Sequence, residues 1–150
     1  MLSGIISDTL LLQSPTTTNV DKLVADELSK IAGLNLQTYG LELLASGVSI
    51  EGMTVEDIIF KDFKTYKVGE NIMAIGQVFT TNFEDYESIK EDIIKELNQL
   101  SDNHEYKTCA LFVTNFLTND SNILFADNSK KVLELSYGIQ DMKQGELLKG

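Results

Sequence analysis

The chain has 150 residues, 43% of them hydrophobic and 23% charged, with a formal net charge of -11, twelve lysines and no arginine. That is enough chain for one good core or for a domain with part of another, and the longest apolar runs, such as Cys109 to Val113, are too short to cross a bilayer. The acidic balance argues against nucleic acid, and a lone cysteine, Cys109, excludes an internal disulfide; with no basic and apolar leader pattern, the cytoplasm is the expected compartment.

Residues 4–18, GIISDTLLLQSPTTT, run small and apolar side chains into Asp8 and then a Ser-Pro-Thr turn. A carboxylate at the end of such a segment either caps the next element or points into a polar cavity that demands it, and capping is the commoner use. Thr18 with Asp21 has the spacing of a capping box opening a helix. Val20, Val24, Leu28 and Ile31 form its apolar stripe, and Gly33 ends it. Asn35 starts a second helix, with Leu36, Tyr39, Leu43 and Leu44 on its buried face and Gly47 as its stop. Residues 47–53, GVSIEGM, are the best linker candidate. Thr54 with Asp57 opens a short helix beyond it.

The pattern then changes to period two. DFKTYKV and NIMAIGQVFTT, joined by Gly69-Glu70-Asn71, read as a hairpin. Asn82 and Asp85 are expected to cap the longest helix, whose stripe is Tyr86, Ile89, Ile93, Leu97 and Leu100. YKTCALFVTN is apolar enough for a strand covered on both faces. SNILFAD comes next as another strand, then a helix from about Ser129 to Leu135 capped by Asn128, then a terminal strand in GELLKG. The expected fold class is α/β: a mixed sheet of about five strands in the order ββαββαβ, with helices packed on it and two to three helices ahead of it.

Few residues are candidates for chemistry. His104 lies in a polar turn with no second histidine or cysteine at metal-ligand spacing, and Cys109 belongs to a buried strand, where a thiol is inert. There is no G-x-S-x-G elbow and no phosphate loop ending in Gly-Lys-Ser/Thr. The acidic stretch NFEDYESIKEDIIKE is a wet helix face, and TNDSN at 118–122 suits a turn between strands. Lys64 shares a strand face with Tyr66 and Val68. Such a lysine is commonly an edge charge that deters aggregation; a phosphate-binding lysine is the sharper alternative.

Taken together, GIISDTLLLQSPTTT, IAGLNLQTYGLELLASG, VEDIIFKDFKTYKVGENIMAIGQV, LFVTNFLTNDSNILFA and LLKG resemble, in order, the C-terminal part of the family II, manganese-dependent inorganic pyrophosphatases of the DHH phosphoesterase superfamily. The resemblance covers essentially the whole chain. It implies that residues 1–47 are the end of a DHH catalytic domain and residues 48–150 most of a DHH-associated substrate-binding domain. It also implies that Asp8 is a manganese ligand and that Lys64 contacts the phosphates of pyrophosphate.

The implied reaction is hydrolysis of pyrophosphate to two phosphates by a metal-activated water in an interdomain cleft. Manganese, with cobalt or magnesium as substitutes, would be held mainly by residues outside this chain. The implied partners are pyrophosphate, the rest of the catalytic domain and a second copy of the full-length protein. The sequence departs from the family in lacking the Asp-His-His motif, in having Gln13 where lysine is usual, and in stopping ahead of a Ser-Arg-Lys-Lys phosphate clamp. A fragment inactive by itself is therefore expected. An exopolyphosphatase of the same superfamily and a non-catalytic binding module of the same fold are the alternatives.

Overall fold

The structure, a computed structural model, describes residues 1–9 and 11–150. It divides into two compact units, Met1–Val48 and Ser49–Gly150. Among the described residues no helix is long and apolar enough to cross a membrane.

The first unit is three helices, α1 (Leu2–Thr9), α2 (Asn19–Ala32) and α3 (Leu36–Val48), with α1 touching both of the others. The capping box forms as expected: Thr18 Oγ1 accepts from the Asp21 amide at 3.2 Å, and the Asp21 carboxylate accepts from the Thr18 amide at 2.8 Å. Gly33 closes α2 at a φ of 66°, a conformation glycine adopts without steric cost. Asn35 Oδ1 accepts from the Thr38 amide at 3.0 Å and so caps α3, which runs through Gly47 to Val48.

Two local expectations fail in this unit. Residues 2–9 form a helix of their own, and Asp8 sits in its last turn rather than capping the next element; the cap of α2 is Thr18. The expected stripe of α2 holds only at its middle: Val24 and Leu28 are half-buried, Val20 and Ile31 at its ends are 66% and 82% exposed, and the fully buried positions are Ala25 and Ser29. Small side chains let neighbouring helices approach closely, so Ala25 and Ser29 are the most deeply buried positions of α2, with Val24 and Leu28 flanking them.

In the second unit a short helix, α4 (Val55–Phe60), is capped by Thr54, whose Oγ1 accepts from the Asp57 amide at 3.1 Å. The strands are β1 (Phe63–Val68), β2 (Asn71–Thr80), β3 (Thr108–Asn115), β4 (Ser121–Phe125) and β5 (Glu146–Leu148). They form one five-stranded sheet in sequence order, parallel between β2 and β3 and antiparallel elsewhere. Val68 pairs with Asn71, so the hairpin loop is the two residues Gly69 and Glu70, with Gly69 at a φ of 63°. The parallel step needs a crossover, and α5 (Lys90–His104) supplies it.

The longest helix begins later than its apolar pattern predicts. Phe83–Ile89 is a tighter 3₁₀ segment, and only then does α5 start. Asn82 caps that segment, accepting from the Glu84 amide at 3.0 Å. Asp85 instead accepts from Thr80 Oγ1 at 2.9 Å, satisfying a hydroxyl on a fully buried residue at the end of β2. His104 is the last residue of α5 and stacks on Tyr106. The last helix, α6 (Lys130–Tyr137), comes after a 3₁₀ turn at Asp127–Ser129. Asn128 does not cap it: its side chain accepts from Ser101 Oγ and donates to the Tyr106 carbonyl, pinning the end of α5.

Alternation sorts the strands onto two faces. On one, Ala74, Val78, Cys109, Leu111, Val113 and Leu124 pack with Ile58 and Ile59 of α4 and Ile93 and Leu97 of α5. Gly76 lies here because α4 comes so close: a Cβ would stand 3.1 Å from the Ile59 carbonyl oxygen. Burial pushes the Cys109 thiol up to about 12, so it is inert as a nucleophile. On the other face Ala110, Ile123 and Phe125 pack with Leu133 of α6 and with Met142.

Leu97→Ala should therefore lower the unfolding free energy by about 2–5 kcal/mol. Ile31→Ser, on the outward face of α2, should cost less than about 0.5 kcal/mol. Urea titrations of the two variants check this, and equal losses would contradict the assigned burial.

Candidate functional site

In α1 the buried residues are Ile6 and Thr9, and Asp8 is exposed. Gly4, one helical turn before it, has open space where a side chain would start. The helix face one turn before the carboxylate is therefore open. It is also in the last turn of the helix, where the negative end of the macrodipole disfavours an anion by about 0.3–1 kcal/mol, and that turn has no basic residue. Nothing in the local helix physics accounts for Asp8. A carboxylate in this setting fits a manganese ion as one oxygen donor. It is a single donor: the described residues contain no group of three or more His, Cys, Asp or Glu that could hold a metal.

Lys64 lies on β1 at the edge of the sheet, with its side chain 64% exposed. Its register partner is Ile75 of β2, so it occupies the face opposite α4 and α5. Asp62, two residues earlier on the same face, holds the ammonium: Nζ to Oδ1 is 3.0 Å. The hydrogen bond to Asp62, and then its charge, raise the Lys64 pKa above the ordinary lysine value, so the ammonium is charged throughout the physiological range.

A polar row continues across that face, which spacing in the sequence does not reveal. The Gln77 amide donates to the Asp62 carbonyl at 2.9 Å, linking β2 to the start of β1. Gln77 Nε2 lies 3.4 Å from Thr114 Oγ1, and Thr114 Oγ1 is hydrogen-bonded to Ser121 Oγ at 2.8 Å. Gln77 is exposed while Thr114 is 7% exposed. One line of polar groups therefore runs from Lys64 and Asp62 through β2 and β3 to β4. The only sequence signal for it is a polar residue at each of three apolar strands.

Thr118–Asp120 of the TNDSN segment lie in the turn between β3 and β4, as their composition predicts, while Ser121 and Asn122 already belong to β4. Asp120 there accepts from the Gly150 amide at 3.1 Å and lies 3.5 Å from Lys149 Nζ, fixing the chain just after β5. The Gly150 amide, ahead of the lysine's charge, draws the Asp120 carboxyl below its ordinary value. A surface hollow of about 500 Å³, lined by Thr54, Glu56, Asp92, Lys95, Glu96 and Gln99 among others, contains none of these residues.

The DHHA2 domain family matches residues 41–148. Among curated relatives, a protein of Lactobacillus delbrueckii subsp. bulgaricus is 40% identical over 140 residues, which are 92% of this chain and 45% of that protein. One of Staphylococcus saprophyticus is 36% identical over 93% of this chain and 45% of its own length, and one of Streptococcus thermophilus is 35% identical over the whole chain and 48% of its own. All three are named as probable manganese-dependent inorganic pyrophosphatases. A crystal structure of a Methanococcus jannaschii protein named as a putative family II inorganic pyrophosphatase superposes with a TM-score of 0.79 at 35% identity, over 99% of this chain and 48% of that one. The chain spans about half the length of the relatives it matches, and over that span it shares their fold and belongs to the DHHA2 domain family.

Proposed function

We propose that this chain is the C-terminal portion of a manganese-dependent inorganic pyrophosphatase, with Met1–Val48 as the end of the catalytic domain and Ser49–Gly150 as most of the substrate-binding domain. The observation that carries this reading is alignment of at least 92% of the chain, in order, with relatives so named. Asp8 and Lys64 have the local settings such roles need. One is a carboxylate with no structural employment, the other a permanent cation on an open sheet face.

Hydrolysis of a phosphoanhydride needs an activated water and neutralisation of several negative charges. Manganese, when bound, would supply a nucleophilic water near neutral pH and offset charge on phosphoryl oxygens. Asp8 would give that metal one oxygen donor from the last turn of α1. Lys64 holds a phosphoryl oxygen and offsets its charge. As a lysine it acts as a point charge with three N–H donors, so it attracts and steadies the phosphate without imposing the planar geometry of an arginine fork.

On this reading the remaining metal ligands come from residues of the full-length protein outside this chain. Use of cobalt or magnesium, pairing of two copies through that half, and a cytoplasmic location form part of the same reading.

In the full-length protein assayed with manganese, phosphate should be released faster from pyrophosphate than from longer polyphosphates. The reverse preference would make it an exopolyphosphatase. Asp8→Asn should weaken manganese binding at least about tenfold, since a direct ligand should matter no less than the outer partners that orient one. The same change should not lower the melting temperature of this chain and should raise it slightly, as the anion leaves the negative end of α1, and calorimetric titration with manganese beside a thermal melt separates the two effects. Lys64→Met should raise KM for pyrophosphate roughly 10–100-fold, the loss of one charge-assisted hydrogen bond.

A further inference from the structure

Lys64 does not stand alone on its face, and its neighbour decides how it meets an anion. The Asp62 carboxylate already occupies the ammonium at 3.0 Å. We propose that Asp62 is a positioning residue that keeps Lys64 paired until phosphate displaces it, and that its uncompensated charge afterwards speeds the release of the product. The inference rests on the reading of Lys64 as the phosphate contact.

The geometry distinguishes the two partners. Asp62 has a short side chain, and its own carbonyl is fixed by the Gln77 amide at 2.9 Å. Lys64 has a long flexible stem and is 64% exposed. When an anion arrives, the ammonium can turn toward it while the carboxylate stays at the strand. The exchange is cheap, because an exposed ion pair is worth little in water.

Once phosphate is bound, a fixed negative charge lies beside it without a counter-ion. This repulsion acts on the bound anion and grows with its charge. It therefore loosens both the substrate and the product phosphate, and favours turnover over retention. The Gln77, Thr114 and Ser121 row lies on the same face but carries no charge, so it cannot produce this effect.

The test uses the full-length manganese-loaded enzyme with Asp62→Asn, which keeps the size and the acceptor oxygen but removes the charge. KM for pyrophosphate, and the dissociation constant for inorganic phosphate measured by calorimetry, should both fall about three- to tenfold. The difference should shrink as salt is added, and kcat should not rise. Asp62→Ser should move both constants in the same direction, and Asp62→Glu should restore values near the wild type.

Constants that stay unchanged or rise in both Asp62→Asn and Asp62→Ser, while Lys64→Met still raises KM, would overturn the role of Asp62 alone. Constants indifferent to Lys64→Met would overturn the phosphate-contact reading, and this inference with it.

Discussion

The alternation of β2 and β3 is the constraint that creates the candidate site. Ala74, Gly76 and Val78 on one strand and Cys109, Leu111 and Val113 on the next lie under α4 and α5, where they are removed from water. Ile75, Gln77, Phe112 and Thr114 are then forced to the other face, and the pairing of Ile75 with Lys64 carries the lysine there too. A slip of one residue would bury Lys64 and Gln77 against the helices and expose the core, so the register is strongly specified. α6 covers only part of that second face, through Leu133 over Ala110, Ile123 and Phe125. Lys64, Asp62 and Gln77 are left in solvent.

Asp8 and Lys64 share a second property: the fold does not need either of them. Asp8 sits where the helix dipole disfavours it, and Lys64 makes one exposed ion pair of small worth. Residues that cost stability or contribute nothing to it are where chemistry, rather than packing, explains the choice of side chain. The opposite holds for Tyr86. It is fully buried and accepts from Asn122 Nδ2 at 2.7 Å, which satisfies a polar group inside the core and binds the 3₁₀ segment to β4.

Much of the second unit was legible in the sequence, because period two is a strong signal when turn residues bound it. Gly69, the turn through Thr118–Asp120 and the Thr54 cap all fall where their chemistry predicts. The first unit was less so. Residues 2–9 contain Ser3, Gly4 and Ser7, which blur any helical period, and α2 buries Ala25 and Ser29 more deeply than Val24 and Leu28, while Val20 and Ile31 stay exposed. Asp85 and Asn128 have the composition of caps but serve tertiary hydrogen bonds, to Thr80 in one case and to Ser101 and Tyr106 in the other. Spacing alone left Asp8 between cap and ligand and Lys64 between edge charge and phosphate contact, and family resemblance singled both out. The Asp62–Lys64 pair is local, two residues apart on one strand face, but alternation alone does not show that the two side chains meet; the Gln77–Thr114–Ser121 row depends on register between separate strands, which no local pattern carries.

The most direct test of the phosphate contact is a crystal structure of the full-length protein with manganese and a non-hydrolysable pyrophosphate analogue. Lys64 Nζ is expected within about 3 Å of a phosphoryl oxygen, turned away from Asp62, with the Asp8 carboxylate bound to manganese. An occupied site in which Lys64 still pairs with Asp62 and faces no phosphate would contradict it.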